Sequence, residues 1–163
     1  MHHEMHRKEL IMGYFLDLRK ELGANSHRPL IMAGAGIIFL NERNEILLQK
    51  RTDNGLWGYP GGSMELGESF EECARREAQE ESGLICDELE YFCQESGAST
   101  HFFYPNGDEI YVAGIVFLCR KYHGELKIQE DEVVTQRFFS KEELPEDLDP
   151  MNGDIIRNAY MLI

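Results

Sequence analysis

Three glutamates, Glu77, Glu80 and Glu81, lie close together in the segment FEECARREAQEES. Phe70, Cys73, Ala74 and Ala78 recur there at the spacing of one helical face. At about 100° per residue, Glu77 and Glu81 point into the middle of that face with Glu80 beside them. Burying an ionised carboxylate without a partner is costly, and clustering several adds repulsion, so the arrangement calls for a cation. An all-oxygen, anionic donor set favours a hard divalent ion, Mg²⁺ first and Mn²⁺ second. Clustered glutamates more commonly form a solvated acidic face, but these share the apolar face instead of opposing it.

The elements that must position these carboxylates are also legible. Ser69 followed by Glu72 is a capping box, which predicts a helix from about Phe70 to Ser82, and Gly83 is the residue to end it. Just upstream, Pro60-Gly61-Gly62 forms a turn whose backbone can approach a metal or a phosphate closely.

Residues 62–84, GSMELGESFEECARREAQEESGL, resemble the signature of the Nudix hydrolases, G-x5-E-x7-R-E-U-x-E-E-x-G-U with U a bulky apolar residue. The matching positions are Gly62, Glu68, Arg76, Glu77, Ala78, Glu80, Glu81, Gly83 and Leu84. Ala78 is smaller than the usual first U, which affects packing and leaves the carboxylates untouched. The flanks LLQKRTDNGLWGYPGG and FFSKEELP are similar to the family's lead-in strand and closing strand, so the resemblance covers roughly residues 30–145. It implies that Glu80 and Glu81 are principal metal ligands, Glu77 a further direct or water-mediated one, and the Gly61 carbonyl a backbone ligand. Glu68 and Arg76 then hold the helix carboxylates in place.

Divalent ions on such carboxylates lower the pKa of a water and neutralise phosphate oxygens, the requirements for phosphoanhydride hydrolysis. In the family the catalytic base comes from the signature or from a loop before the closing strand. Here that loop is Gln129-Glu130-Asp131-Glu132, so Glu130 and Glu132 are candidates beside Glu77, Glu80 and Glu81, with an ordinary acidic loop as the alternative. Arg51 is a candidate phosphate contact, or equally an ion-paired arginine. Trp57 and Tyr104, with Tyr59, Phe102, Phe103 and Tyr111, are candidates for stacking on a base, against the commoner role of aromatic residues in core packing.

The expected function is metal-dependent hydrolysis of a nucleoside diphosphate linked to another moiety. ADP-ribose, nucleotide sugars and nucleoside triphosphates all stay open. The alternative is a non-catalytic Nudix-fold sensor of nucleotides, which a degenerate signature would favour; this one is intact. A calcium-binding protein would need a ligand loop of the EF-hand kind, and the sequence has none.

At 163 residues a single principal domain is expected, with a leader and amphipathic helix over 1–29 and the Nudix hydrolase domain over 30–163. The net charge of −14 leaves no basic stripe for a nucleic-acid polymer, so the expected partner is a small nucleotide, with a homodimer as a further expectation. Cys73, Cys86, Cys93 and Cys119 form no CxxC pair and read as thiols in a reducing compartment. The apolar run Leu30 to Leu40 is too short to span a bilayer, and no signal-type h-region follows the start. A cytoplasmic protein without membrane contact is the expectation.

Along the chain, MHHEMHRK reads as a leader despite its three histidines, and Glu9 to Leu22 as an amphipathic helix ended by Gly23, packed on the domain or on a partner subunit. Strands are expected at Leu30 to Asn41, Glu45 to Arg51, 86–96, His101 to Tyr104, Glu109 to Tyr122, Leu126 to Ile128 and Val133 to Phe139. Pro105-Asn106-Gly107-Asp108 is a hairpin signal, and Gly34 and Gly36 mark a close backbone approach or a bulge. Ser140 with Glu143 predicts a short capped helix to Leu144, and a last helix spans Asn152 to Met161. These elements make an α+β fold, which the resemblance sharpens to an α/β/α sandwich with a mixed central β-sheet.

Overall fold

In the computed structural model, residues 13–25 and 27–163 are described. Residues 1–12, which hold the histidine-rich leader and the start of the first expected helix, lie outside them. The order is α1 (Tyr14–Glu21), β1 (Leu30–Phe39), β2 (Ile46–Arg51), β3 (Trp57–Gly58), β4 (Gly61–Ser63), α2 (Phe70–Ser82), β5 (Ile85–Glu95), β6 (His101–Phe103), β7 (Glu109–His123), β8 (Val133–Phe139) and α3 (Pro150–Met161).

β1 is the strand around which the layers form. It runs parallel to β7 from Leu30 opposite Ile110 to Phe39 opposite Cys119, and β4 and β5 flank the pair antiparallel in the order β4-β1-β7-β5, with β6 also on β7. The sheet is therefore mixed. Ala35, Ile37 and Phe39 face Cys73, Ala74 and Ala78 of α2, while Ile38 and Leu40 face Ile156 and Ala159 of α3. Because both faces are covered, β1 reads as a continuous apolar run and not as an alternation. The ERN turn does not close a hairpin within this sheet: beyond the single bridge of Leu40 to Ile46, β2 diverges into a second sheet, β3-β2-β8.

Gly34 and Gly114 mark the close approach expected of a strand glycine. They are paired in register, and a Cβ on Gly114 would overlap the Gly34 carbonyl oxygen. The hairpin of β6 and β7 turns at Gly107, with φ 92° and Tyr104 N–H donating to Asp108 O at 2.8 Å. α1 packs on the domain: the Arg19 guanidinium donates to the Arg28 and Glu109 carbonyls at 2.6 Å each. No helix among the described residues is long and apolar enough to cross a membrane.

Four expectations change. Residues 126–128 form no strand; Lys127 N–H donates to Ser82 O at 2.8 Å, which ties the segment to the end of α2 in place of a strand neighbour. The capped helix after Ser140 is only a 3-10 turn, Lys141–Glu143, without a side-chain cap: the Ser140 hydroxyl donates to the Glu143 carboxylate at 3.1 Å. Pro145 disfavours helical backbone at Leu144, which stops propagation. α3 starts at Pro150 and not at Asn152, because Asp149 caps it and Pro150 suits the first helical position. Finally, Cys86 on β5 and Cys119 on β7 are bonded as a disulfide, with Cα atoms 6.3 Å apart, and only Cys73 and Cys93 are free. The reading of four thiols fails, because residues far apart in sequence become strand neighbours, and the cysteine argument for a reducing compartment goes with it.

Two stability outcomes follow. Gly114→Ala forces β1 and β7 apart where Gly114 pairs with Gly34 and lowers the unfolding free energy by about 2 kcal/mol or more. Ser69→Ala removes one half of the α2 capping box and costs about 1 kcal/mol. Guanidinium titrations monitored by circular dichroism measure both, and an unchanged midpoint for Gly114→Ala contradicts the close approach.

Candidate active site at the carboxylate helix

α2 forms as its sequence dictates. The Ser69 hydroxyl accepts from Glu72 N–H at 3.1 Å, the Glu72 carboxylate accepts from Ser69 N–H at 2.8 Å, and Gly83 closes the helix in left-handed backbone at φ 80°. The helix lies against β1 and β4, so its middle turn faces Gly61 and Gly62. These two glycines, expected as a turn, are instead strand β4, paired antiparallel with Gly36 and Ala35 of β1. Gly61 N–H donates to Glu81 Oε2 at 3.1 Å. Gly62 admits the other carboxylate: a Cβ there would lie 2.5 Å from Glu77 Cδ.

These two carboxylates are set apart from solvent. Glu81 is only 7% exposed. Burial, then the charge of Glu77, raises its carboxyl well above the usual range, against the pull of the Gly61 N–H. Burial likewise pushes Glu77 up to about 7, with Arg76 opposing and Glu80 and Glu132 adding to the rise. Arg76 is the organising cation. It meets Glu68 through Nε and Nη2, Glu77 through Nη1 at 2.8 Å, and the Ser63 carbonyl at 3.0 Å. Glu68 in turn accepts from Glu65 N–H at 2.8 Å, which fixes it beneath the loop.

Glu80 is placed differently. Its side chain is 52% exposed and turned toward Arg76 Nη1 at 3.2 Å, away from the cavity that Glu77 and Glu81 line. Among the described residues, no group of three or more His, Cys, Asp or Glu side chains is already gathered as a metal cage. The donor chemistry of the buried pair nonetheless fits a hard divalent ion: two desolvated carboxylates whose charges oppose each other, beside a strand whose glycines leave the backbone open.

The cavity, about 410 Å³, opens between β1, the start of β7 and the second sheet, with Phe15 and Leu16 of α1 at its wall. Arg51 lines it, but its guanidinium is held by Asp53 through two bonds of 2.9 and 2.8 Å. The candidate phosphate contact and the ion-paired arginine are thus the same residue. Tyr104 also lines the cavity, edge-on to Phe102 at 5.0 Å between ring centroids. Both loop glutamates are exposed, but Glu132 lines the cavity and its charge reaches both Glu77 and Glu81, whereas Glu130 lies outside it. Trp57 does not line it, which corrects the stacking expectation: its ring packs edge-on against Phe139 at 4.9 Å in the core between the second sheet and α3.

Sequence reasoning passed over Glu95, Asp149 and Asn152, which line the far end of the cavity, and Asp53, which clamps Arg51. The pair Asp149-Pro150 carried a signal, since an acidic cap before proline marks a helix start. Nothing in the sequence around Glu95 distinguishes it from the other acidic residues of β5.

The NUDIX domain family model matches residues 30–159. An 8-oxo-dGDP phosphatase of Mus musculus is 38% identical over 98 residues, covering 58% of this chain and 27% of its own length. An NAD-capped RNA hydrolase of Actinobacillus succinogenes is 32% identical over 118 residues, covering 68% of this chain and 41% of its own length. The chain thus spans about a quarter to two-fifths of the curated relatives it matches. The crystal structure of a MutT NUDIX hydrolase from Burkholderia pseudomallei is 25% identical, with a TM-score of 0.66 over 82% of this chain and 98% of that one. With the family match running through β1, the carboxylate helix and α3, and the fold shared with a solved member, the chain belongs to the Nudix domain family.

Proposed function

We propose that this chain hydrolyses a phosphoanhydride bond in a small nucleotide, a nucleoside diphosphate carrying a further phosphate or other group, with Mg²⁺ or Mn²⁺ as cofactor. The observation that carries the reading is the pair Glu77 and Glu81, desolvated against Gly61 and Gly62 of β4 at the wall of a cavity of nucleotide size. Glu77, Glu80, Glu81 and the Gly61 carbonyl would hold the metal, Glu80 by turning from Arg76. When bound, a divalent ion supplies charge neutralisation at the phosphates and an acidified water.

The protein's own groups do the rest. Arg76, braced by Glu68 and the Ser63 carbonyl, keeps Glu77 in its rotamer. Arg51, oriented by Asp53, presents a fixed cation to a phosphate on the opposite wall from α2. Glu132, facing the buried pair across the cavity, accepts the proton of the attacking water. Tyr104 offers an aromatic edge to the nucleoside. The net charge of −14 supports a small substrate over a nucleic-acid polymer. By name, the mouse relative acts on 8-oxo-dGDP and the Actinobacillus relative on NAD-capped RNA, two substrates that share a diphosphate linkage.

The test is product-resolved hydrolysis with Mg²⁺ across ADP-ribose, nucleotide sugars and nucleoside di- and triphosphates. Glu81→Gln keeps an oxygen for the Gly61 N–H and so retains the fold, while turnover falls by about a hundredfold or more. Turnover close to that of the unaltered protein in this variant would remove the metal role from Glu81. Nucleotide binding by the unaltered protein without any product would instead favour a sensor.

A further inference from the structure

The cavity has a second polar end that phosphoanhydride chemistry does not use. Ser63 is paired with Gly34, Gly34 with Gly114, and Gly114 with Glu95, so one row of residues crosses the sheet from β4, beside the carboxylate helix, to β5. At roughly 4.8 Å between adjacent strands, the three steps span about 14 Å. That is the reach of a nucleoside diphosphate from its phosphates to the far edge of its base.

The two middle positions of the row carry no side chain, so the floor between the ends is bare backbone. A Cβ on Gly114 would lie 3.6 Å from Glu95 Oε1, which puts the carboxylate directly over that floor. Tyr59 lies with its ring against Gly36, and its hydroxyl reaches Glu95 Oε2 at 3.4 Å, a long bond. Among the described residues this is the one hydrogen bond that the Glu95 carboxylate makes. Asp149, at the same end, is already committed: it accepts from Met151 N–H at 2.9 Å as the cap of α3. Burial, with a further push from the Asp149 charge, raises the Glu95 carboxyl above its usual value. Glu95 is therefore a desolvated acceptor short of donors.

An ionised carboxylate accepts and cannot donate, so it matches a base edge that offers two adjacent N–H groups. Guanine has that edge, in its ring N1–H and exocyclic amino group. Adenine and cytosine place a bare ring nitrogen beside their amino group, and uracil and thymine have one N–H between two carbonyls. We propose that Glu95 is the specificity-determining residue of this site and selects guanine-type bases by accepting N1–H and the exocyclic N–H on its two carboxylate oxygens. The inference rests on the nucleotide-hydrolase reading and narrows its substrates to guanine nucleotides.

The experiment measures Mg²⁺-dependent hydrolysis of GTP, GDP, ATP and ADP, pairs that differ only in the base, and calorimetric binding of GMP, IMP and AMP. In the unaltered protein the guanine KM is expected to be about tenfold or more below the adenine KM, and IMP, which lacks the exocyclic amino group, to bind about tenfold more weakly than GMP. Glu95→Gln is isosteric and presents one acceptor and one donor, the match for adenine. It is expected to raise the guanine KM about tenfold and lower the adenine KM, with kcat within about threefold and an unchanged melting temperature.

Equal affinity for GMP and AMP in the unaltered protein, or a guanine-to-adenine ratio unmoved by Glu95→Gln, overturns the assignment. Should that variant fail to fold, the comparison of GMP with IMP on the unaltered protein decides alone. Turnover without base preference overturns the guanine assignment and leaves the hydrolase. Guanine-selective binding without turnover upholds the role of Glu95 and overturns the hydrolase.

Discussion

Two carboxylates held out of water against a pair of strand glycines set the terms for the rest of this structure. Glu77 and Glu81 could each relieve their desolvation by moving outward, and the fold prevents it from several sides. The capping box and the left-handed Gly83 fix both ends of α2, so the helix cannot unwind to release them. Gly62 removes the side chain that would occupy the space of Glu77, and the Gly61 N–H engages Glu81. Arg76 supplies positive charge from the side and is itself held by Glu68 and the Ser63 carbonyl. The result is preorganisation: anionic donors whose positions are maintained by contacts outside the cavity.

β1 links that site to the stability of the molecule. Its residues Ala35, Ile37 and Phe39 build the core against α2, and Ile38, with Leu40 just past its end, builds the core against α3. Toward its N-terminal half the even-numbered positions become Gly34 and Gly36, and the second core opens into the cavity. One strand thus changes from core to binding floor by exchanging isoleucine and leucine for glycine along a single face. The parallel partner β7 follows suit with Gly114 opposite Gly34. Side-chain volume, more than loop length, decides where the core stops and the cavity begins.

The acidic groups around the cavity have separate environments. Asp53 is neutralised by Arg51 and Glu68 by Arg76, while Asp149 is held by its helix-capping bond. Glu77, Glu81 and Glu95 are the ones whose carboxyls burial pushes upward. They stand at the two ends of the cavity, which gives a strongly acidic chain two distinct sites of unmet demand, one for a cation and one for N–H donors.

Features that depend on near neighbours are legible in the amino-acid sequence. Helix α2 with both its caps, the hairpin at Gly107, the strand β8 and the buried placement of Glu77 and Glu81 follow from spacings of three or four residues or from turn chemistry. Glu80, expected beside them, is half exposed next to Arg76, because angular position on a helix does not report how a neighbouring arginine turns a side chain outward. Only the tertiary structure decided what depends on strand neighbours. It brought Cys86 to Cys119, sent Trp57 into the core against Phe139, divided β1 and β2 between two sheets, and carried Glu95 across Gly114 and Gly34 into the cavity that Glu77 and Glu81 line. The physical reason is that register between strands distant in sequence is set by the packing of whole faces, and no local pattern encodes it.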